Sequence, residues 1–335
     1  MILSINVKCV NLFHGDFMII QRFFALSITF MFALAGCSSK MSSDRYREGD
    51  NAGQKVDLTV DQEKQLTKEA LAEMKKDYPP VQNRELQEYI EELGQKIVRA
   101  NNLNNKPYTY HFTAVDSAQV NAFALPAGYV YITAPIIAMA DTEAEIAGVL
   151  GHEIGHVVAR HTAERMYVAK QEQSKTYLFG GIGAAIGAGV GYLAQKKLCA
   201  PDDLACKAKV VGGGAAVGGL GGLMIQKYGF MKNSQEDELE SDRVGFRYAV
   251  KTNYDKQYVG DFYEKLMAME KQSKKGQNAF MSSFGDAMSS HPPSKARVKQ
   301  AQEMQSLIKE NGSIGSTAEF QRMKKIAQEI VKKAH

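Results

Sequence analysis

Neither sign of charge dominates this chain of 335 residues, where 41 Lys and Arg stand against 37 Asp and Glu for a formal net charge of +4. With no basic patch beyond helix faces such as 324–333, so small an excess argues against a nucleic-acid partner and against a strongly acidic substrate. Cysteine is scarce too: the chain has Cys9, Cys37, Cys199 and Cys206, and Cys199 and Cys206 have no histidine or second cysteine pair beside them, so they do not read as metal ligands. The apolar run Phe23–Ala33 has the length of a signal-peptide core and is too short for a spanning helix.

Against these absences one stretch stands out. Gly151-His152-Glu153-Ile154-Gly155-His156 contains a His-Glu-x-x-His box. On a helix, the four-residue step puts His152 and His156 on one face, where they can hold one Zn²⁺ with Glu153 beside its water. A helix is expected there independently of the box. Thr142 and Glu145 have capping-box spacing, and Ile146, Val149, Leu150, Val157 and Val158 recur at helical intervals with no proline until well past Lys170. The box is therefore expected mid-helix; the bland alternative is a surface helix with two solvated histidines.

Two histidines do not complete a catalytic zinc site, which takes three protein ligands and one open position. In the acidic run 235–242, Glu238 and Asp242 are one helical turn apart. Glu238 can then ligate the metal while Asp242 accepts a hydrogen bond from the far nitrogen of a ligand histidine, His152 being the expected donor. Read alone, the run is an acidic, solvated helix start; read with the box, it is a third ligand and its support. Downstream, Pro292 and Pro293 stop one helix and start another, fixing His291 in position.

These blocks, with Arg160-His161 after the box, Glu238-x-Glu240-Ser241-Asp242, and His291-Pro292-Pro293 followed by Arg297, resemble the membrane-linked gluzincin peptidases. That family includes the CaaX prenyl endopeptidases and the periplasmic beta-barrel assembly-enhancing protease. The likeness reaches upstream to residues 120–128 and covers roughly 59–310. Ser241 stands where the family usually has Ala, and Ala127 where a second Gly is common; both are small. The resemblance implies an α+β zincin fold, one zinc per chain, an oxyanion-holding role for His291 and misassembled envelope proteins as substrates. The roughly 35 residues after Gln300 are too few for the tetratricopeptide array of many relatives.

Leu34-Ala35-Gly36-Cys37 resembles a bacterial lipoprotein cleavage box, so 1–36 are expected as a signal peptide with Cys37 lipidated. Residues 1–17 fit no signal pattern, which makes Met18 a candidate start. With Ser38 next, sorting rules for such signals point to the periplasmic face of the outer membrane, with 37–58 as a tether. In that oxidising compartment Cys199 and Cys206 are expected to pair. They lie at the tip of insertion 177–229; residues 180–229 hold 14 of the 29 glycines, with Gly-x-x-x-Gly steps in two arms. The segment reads either as a helical hairpin touching membrane or substrate or as a glycine-rich loop without a partner.

Elsewhere the periodicity predicts helices near 60–76 and 84–100, then strands at 108–115, 120–125 and 129–133 with Ala127-Gly128 as a turn. Further helices are expected from about 236, over 255–271, and after Pro293 and Ser316, leaving 311–335 as a C-terminal helix. The strand carrying Asn121, Ala122, Phe123 and Ala124, if at a sheet edge, would pair with an extended substrate. The expected activity is zinc-dependent endopeptidase, with Glu153 as general base, acting on unfolded or misassembled envelope polypeptides. A rival is a chaperone or scaffold lipoprotein with structural zinc, against which an intact Glu153 speaks. Another is a latent enzyme whose fourth zinc position is closed by His291 or by the glycine-rich insertion.

Overall fold

The computed structural model describes residues 48–104, 107–168, 171, 233–273, 291–292 and 294–334. The signal segment, Cys37, the insertion 177–229 and both Cys199 and Cys206 lie outside the described residues. The helices form where the caps and periodicity dictate. Thr59 and Gln62 make a reciprocal capping box at the start of α1 (Val60–Asp77), and Asn83 caps α2 (Arg84–Ala100). Leu86, Ile90, Leu93 and Ile97 of α2 are buried on one face, as their spacing predicts.

Three short strands follow: β1 (His111–Val115), β2 (Ala122–Leu125) and β3 (Tyr129–Thr133). The sheet order is β1-β3-β2, with β1 parallel and β2 antiparallel to β3, so β2 lies at an edge. Each of the first two strands is shorter than the sequence pattern predicts. Tyr108 and Tyr110 are buried through side-chain packing rather than strand pairing, which accounts for the overreach. The β2–β3 connection turns through Ala127 at φ 64° and Gly128 at φ 96°; a Cβ on Gly128 would come within 2.6 Å of Thr109 O.

After α3 (Ala134–Met139) comes α4 (Glu143–Val158), the centre of the molecule, buried from Glu143 to Val157. Thr142 caps it by accepting from Glu145 N, but the Glu145 side chain returns to Asp141 N rather than to the cap, so the box is only half formed. The helix also ends earlier than expected. Arg160 adopts φ 52°, breaking the chain direction before helical residues 161–168. The His-Glu-x-x-His box therefore occupies the last turns of α4, not its middle, because a left-handed residue can end a helix without a proline.

Among the described residues the next helices are α5 (Gln235–Lys251), α6 (Lys256–Val259), α7 (Asp261–Ser273), α8 (Lys295–Leu307) and α9 (Ala318–Ala334). The main core joins α2, the sheet, α4, α5 and α9 through residues such as Ile90, Ile132, Leu150, Phe246 and Phe320. No described helix is long and apolar enough to cross a membrane. Not all of the expected tether is free: Glu48 pairs with Arg243 and Arg247, Gly49 N donates to Glu240, and Asn51 and Gln54 bond carbonyls at the end of α4. The folded body thus begins by residue 48, and its first residues are a strap across the end of α4.

The α4–α5 crossing is unusually close. A Cβ on Gly245 would lie 2.4 Å from His152 N and 2.5 Å from Gly151 C, and one on Gly155 would lie 3.0 Å from Ser241 Cα. Backbone faces these points, so no side chain can yield. Gly245→Ala is expected to force the helices apart and destabilise the protein by about 1–3 kcal/mol or more, lowering the melting temperature and zinc uptake together. An unchanged melting curve with full zinc binding would contradict this packing.

Candidate metal centre

The close crossing sets two residues of α4 against two of α5. His152 and His156 point from successive turns of one helix, and Glu238 and Asp242 from successive turns of the other. Ser234 and Asp237 form a reciprocal capping box that starts α5 three residues before Glu238. His291 enters from the segment before α8, whose Ser294 cap accepts from Arg297 N. His152, His156, Glu238 and His291 then offer one donor atom each, all within 4.8 Å of one another.

The spacing of these donors suits a small tetrahedral cation. His152 Nε2 is 3.0 Å from His156 Nε2 and 3.2 Å from His291 Nδ1; Glu238 oxygens lie 3.3 Å from His156 Nε2 and 3.1 Å from His291 Nδ1. A tetrahedron with bonds of about 2.0–2.1 Å has edges of roughly 3.3–3.4 Å, and imidazole nitrogen with carboxylate oxygen is a zinc donor set. The Asn233 amide also approaches the cluster, its Nδ2 3.2 Å from His156 Nε2 and 3.3 Å from His291 Nδ1. These residues fit zinc.

Supporting groups surround the donors. His152 Nδ1 is 2.8 Å from Asp242 Oδ1, a short contact set off the ideal hydrogen-bond angle. The buried Arg297 grips Asp242 with two bonds of 2.7 Å and reaches Glu238 Oε2 at 2.7 Å, its guanidinium 4.7 Å over the Tyr263 ring. Charge-assisted pairs of this kind hold both carboxylates ionised and aimed. The His291-Pro292-Pro293 block with Arg297 is visible in the sequence, but nothing in its spacing reveals that Arg297 returns to Glu238 and Asp242. His161 and Glu240 are likewise placed against the site, His161 behind His156.

Titration follows from these contacts. Burial pulls His152 down, yet the Glu238 and Asp242 carboxylates outweigh it and lift the imidazole to about 9. Burial would raise Glu238 and Asp242, but Arg297 above all holds Glu238 well below, and Asp242 below, the usual carboxylate range. Burial above all, with Glu238 adding to it, pushes Glu153 up despite His291 and His152; burial, with His152 and His161 beside it, drives His156 well below the usual imidazole range. Glu153 Oε2 is buried with no hydrogen-bond partner among the described residues, while Oε1 is 3.5 Å from His291 Nε2. A buried carboxylate oxygen left open beside a donor cluster is a mark of function rather than packing.

His291 is set otherwise than an oxyanion holder would be. Its Nδ1 faces the donor cluster, and its Nε2 donates to Ala122 O at 3.1 Å, leaving no N–H for a substrate oxygen in this arrangement. Ala122 belongs to β2, so Asn121, Ala122, Phe123 and Ala124 do lie along the sheet edge near the cluster. A pocket bounded by Ala124, Leu125, Pro126, His156 and Arg160 opens between that edge and the end of α4.

A family model described as Peptidase family M48 matches residues 80–305. The chain is 26% identical over 269 residues to a beta-barrel assembly-enhancing protease of Yersinia pestis, covering 80% of this chain and 48% of that protein. It is 27% identical over 218 residues to the Escherichia coli (strain K12) protein of the same name, covering 65% and 40%. To the mitochondrial metalloendopeptidase OMA1 of Arabidopsis thaliana it is 28% identical over 191 residues, covering 57% and 30%. The chain thus spans half or less of the length of these curated relatives.

In the metal-free protein the raised His152 contributes stability that is full below about 6.5 and lost as pH rises through about 9. The depressed Glu238 and Asp242 contribute stability present above the ordinary carboxylate range and lost as pH falls through their lowered values. Melting of the metal-free protein should therefore weaken at both ends of the pH scale. Zinc has to displace the His152 proton, so its apparent affinity is expected to climb up to about pH 9 and then level off. Affinity independent of pH across that span would contradict ligation by His152.

Proposed function

This chain belongs to peptidase family M48, and on that premise we propose that it is a zinc-dependent endopeptidase of the bacterial cell envelope that degrades misfolded or misassembled envelope proteins. The observation that carries the reading is the buried Glu153 carboxylate, open on one oxygen and set beside the four-donor cluster. A purely structural zinc site has no use for such a group. The substrate class follows the printed names of the relatives, which are proteases enhancing beta-barrel assembly.

In this reading His152, His156 and Glu238 hold the ion, with Asp242 and Arg297 behind them. A bound zinc ion supplies a Lewis acid that polarises the scissile carbonyl and lowers the pKa of its water towards about 7. Glu153, its proton affinity raised by burial, takes the proton of the attacking water and delivers it to the leaving amine. The β2 edge binds an extended chain by backbone pairing, so recognition depends more on an unfolded backbone than on sequence. Lipidation at Cys37 anchors the enzyme at the periplasmic face of the outer membrane, an oxidising compartment that favours a bond between Cys199 and Cys206.

A second reading concerns control. His291 directs a lone pair into the cluster and its N–H to a carbonyl of β2, which favours a latent state with His291 as fourth ligand. The oxyanion role then requires His291 to swing out. His291→Ala is expected to raise turnover of an unfolded protein if His291 closes the site, and to lower it if His291 acts only on the oxyanion.

The reading as a peptidase is tested by digestion of a casein-type substrate with and without a chelator, alongside Glu153→Gln. Chelation should stop cleavage and zinc should restore it. Glu153→Gln should keep one zinc per chain and lose cleavage by at least about 100-fold, since a positioned base contributes on the order of 10²–10⁴. Near-normal cleavage by the variant would contradict the mechanism.

A further inference from the structure

His161 comes directly after the left-handed Arg160, and that turn folds it back onto the helix it follows. Its Nδ1 stands 2.8 Å from His156 Nδ1, and its Nε2 stands 3.1 Å from Glu240 Oε2. Ser241 Oγ lies 3.3 Å from the same Nδ1, and Asp237 Oδ1 lies 3.7 Å from Nε2. The other oxygen of Glu240 accepts the Gly49 N–H at 2.9 Å, from the strap across the end of α4. His161 and Glu240 are both 0% exposed, so water does not compete for these bonds.

With both imidazoles neutral, the partners assign the protons in this chain. Two carboxylates face Nε2 of His161, so that nitrogen carries its proton. Nδ1 of His161 is then a lone pair. Only one proton fits between the two facing Nδ1 atoms, and His156 has to supply it. With its proton on Nδ1, His156 is left with a lone pair on Nε2, the nitrogen that faces His152 and Glu238. The hydrogen bond on the outer nitrogen of a ligand histidine decides which nitrogen faces the metal.

We propose that His161, held by Glu240, is a positioning residue that fixes the metal-facing tautomer and ring angle of His156. His152 has Asp242 for this purpose; among the described residues His156 has no carboxylate of its own within reach of Nδ1 and uses a second imidazole as the bridge to one. This inference rests on the reading of His156 as a zinc ligand through Nε2.

The test compares zinc affinity, by chelator competition, in the full-length wild-type protein, His161→Phe and His161→Asn. Phenylalanine fills the space without an acceptor, and affinity is expected to fall about 10- to 100-fold. Asparagine can present its amide oxygen where Nδ1 stood and is expected to restore most of that loss. Visible spectra of the cobalt-substituted forms should shift for Phe and return towards wild type for Asn, a signature that a packing role would not produce. Wild type and folded His161→Phe binding zinc equally tightly, with the same cobalt spectrum, would overturn the inference alone. Wild type taking up no zinc would overturn the peptidase reading together with it. Imidazole nitrogen NMR of the zinc-loaded wild type decides the matter even if His161→Phe does not fold. The expected protons are on Nε2 of His161 and Nδ1 of His156, and a His161 protonated on Nδ1 would overturn the proposal.

Discussion

The backbone contact between α4 and α5 is the constraint from which the rest of this structure follows. Packed helices ordinarily stand about 8–10 Å apart, a distance set by the side chains between them. Here Gly151 meets Gly245 and Gly155 meets Ser241 with almost nothing between. The helices therefore come close enough for imidazoles of one and carboxylates of the other to share a single ion. Small residues that look like weak helix formers are what bring His152, His156 and Glu238 to one point. Ser241 serves where the family usually has Ala because the requirement is size at a contact with Gly155.

That approach concentrates charge in a dry place, and the electrostatics of the site are its consequence. Glu153, Glu238 and Asp242 are buried within one small volume. Arg297 compensates two of them by direct bonds, which lets the fold hold the carboxylates in position before a metal arrives. Its removal would leave buried carboxylates unpaired, a change that typically costs about 3–5 kcal/mol. Glu153 has no such partner, and its raised proton affinity is the counterpart of that omission. A dication bound by the inward lone pairs then joins folding to metal binding.

Much of this was legible in the sequence, and for identifiable reasons. The α1 and α2 boundaries, the apolar face of α2 and the start of α5 follow from caps and periodicity, which are local. The His-Glu-x-x-His box and the one-turn pair Glu238 and Asp242 are local too, and the structure brings both together. What local pattern does not carry is where a chain turns without Pro or Gly. Arg160 in the left-handed region ended α4 early and returned His161 onto His156. Tyr108 and Tyr110 look like strand residues because aromatic side chains suit either a pleated sheet or a packed core. The polar run before Thr59 looks like a tether, and only the carbonyls at the end of α4 show that its last residues are bound. Arg297 was visible in a block of motif residues, but its partners are fixed by tertiary contact alone.

The central claim is that one zinc ion binds where α4 and α5 cross, in a nitrogen and oxygen donor set. Zinc K-edge X-ray absorption on the purified full-length protein, with metal analysis on the same sample, tests it most directly. The expected result is one zinc per chain, nitrogen and oxygen neighbours at about 2.0–2.1 Å and the outer-shell scattering of imidazole rings. Sulfur neighbours at about 2.3 Å, or a folded protein that retains no zinc, would contradict the account.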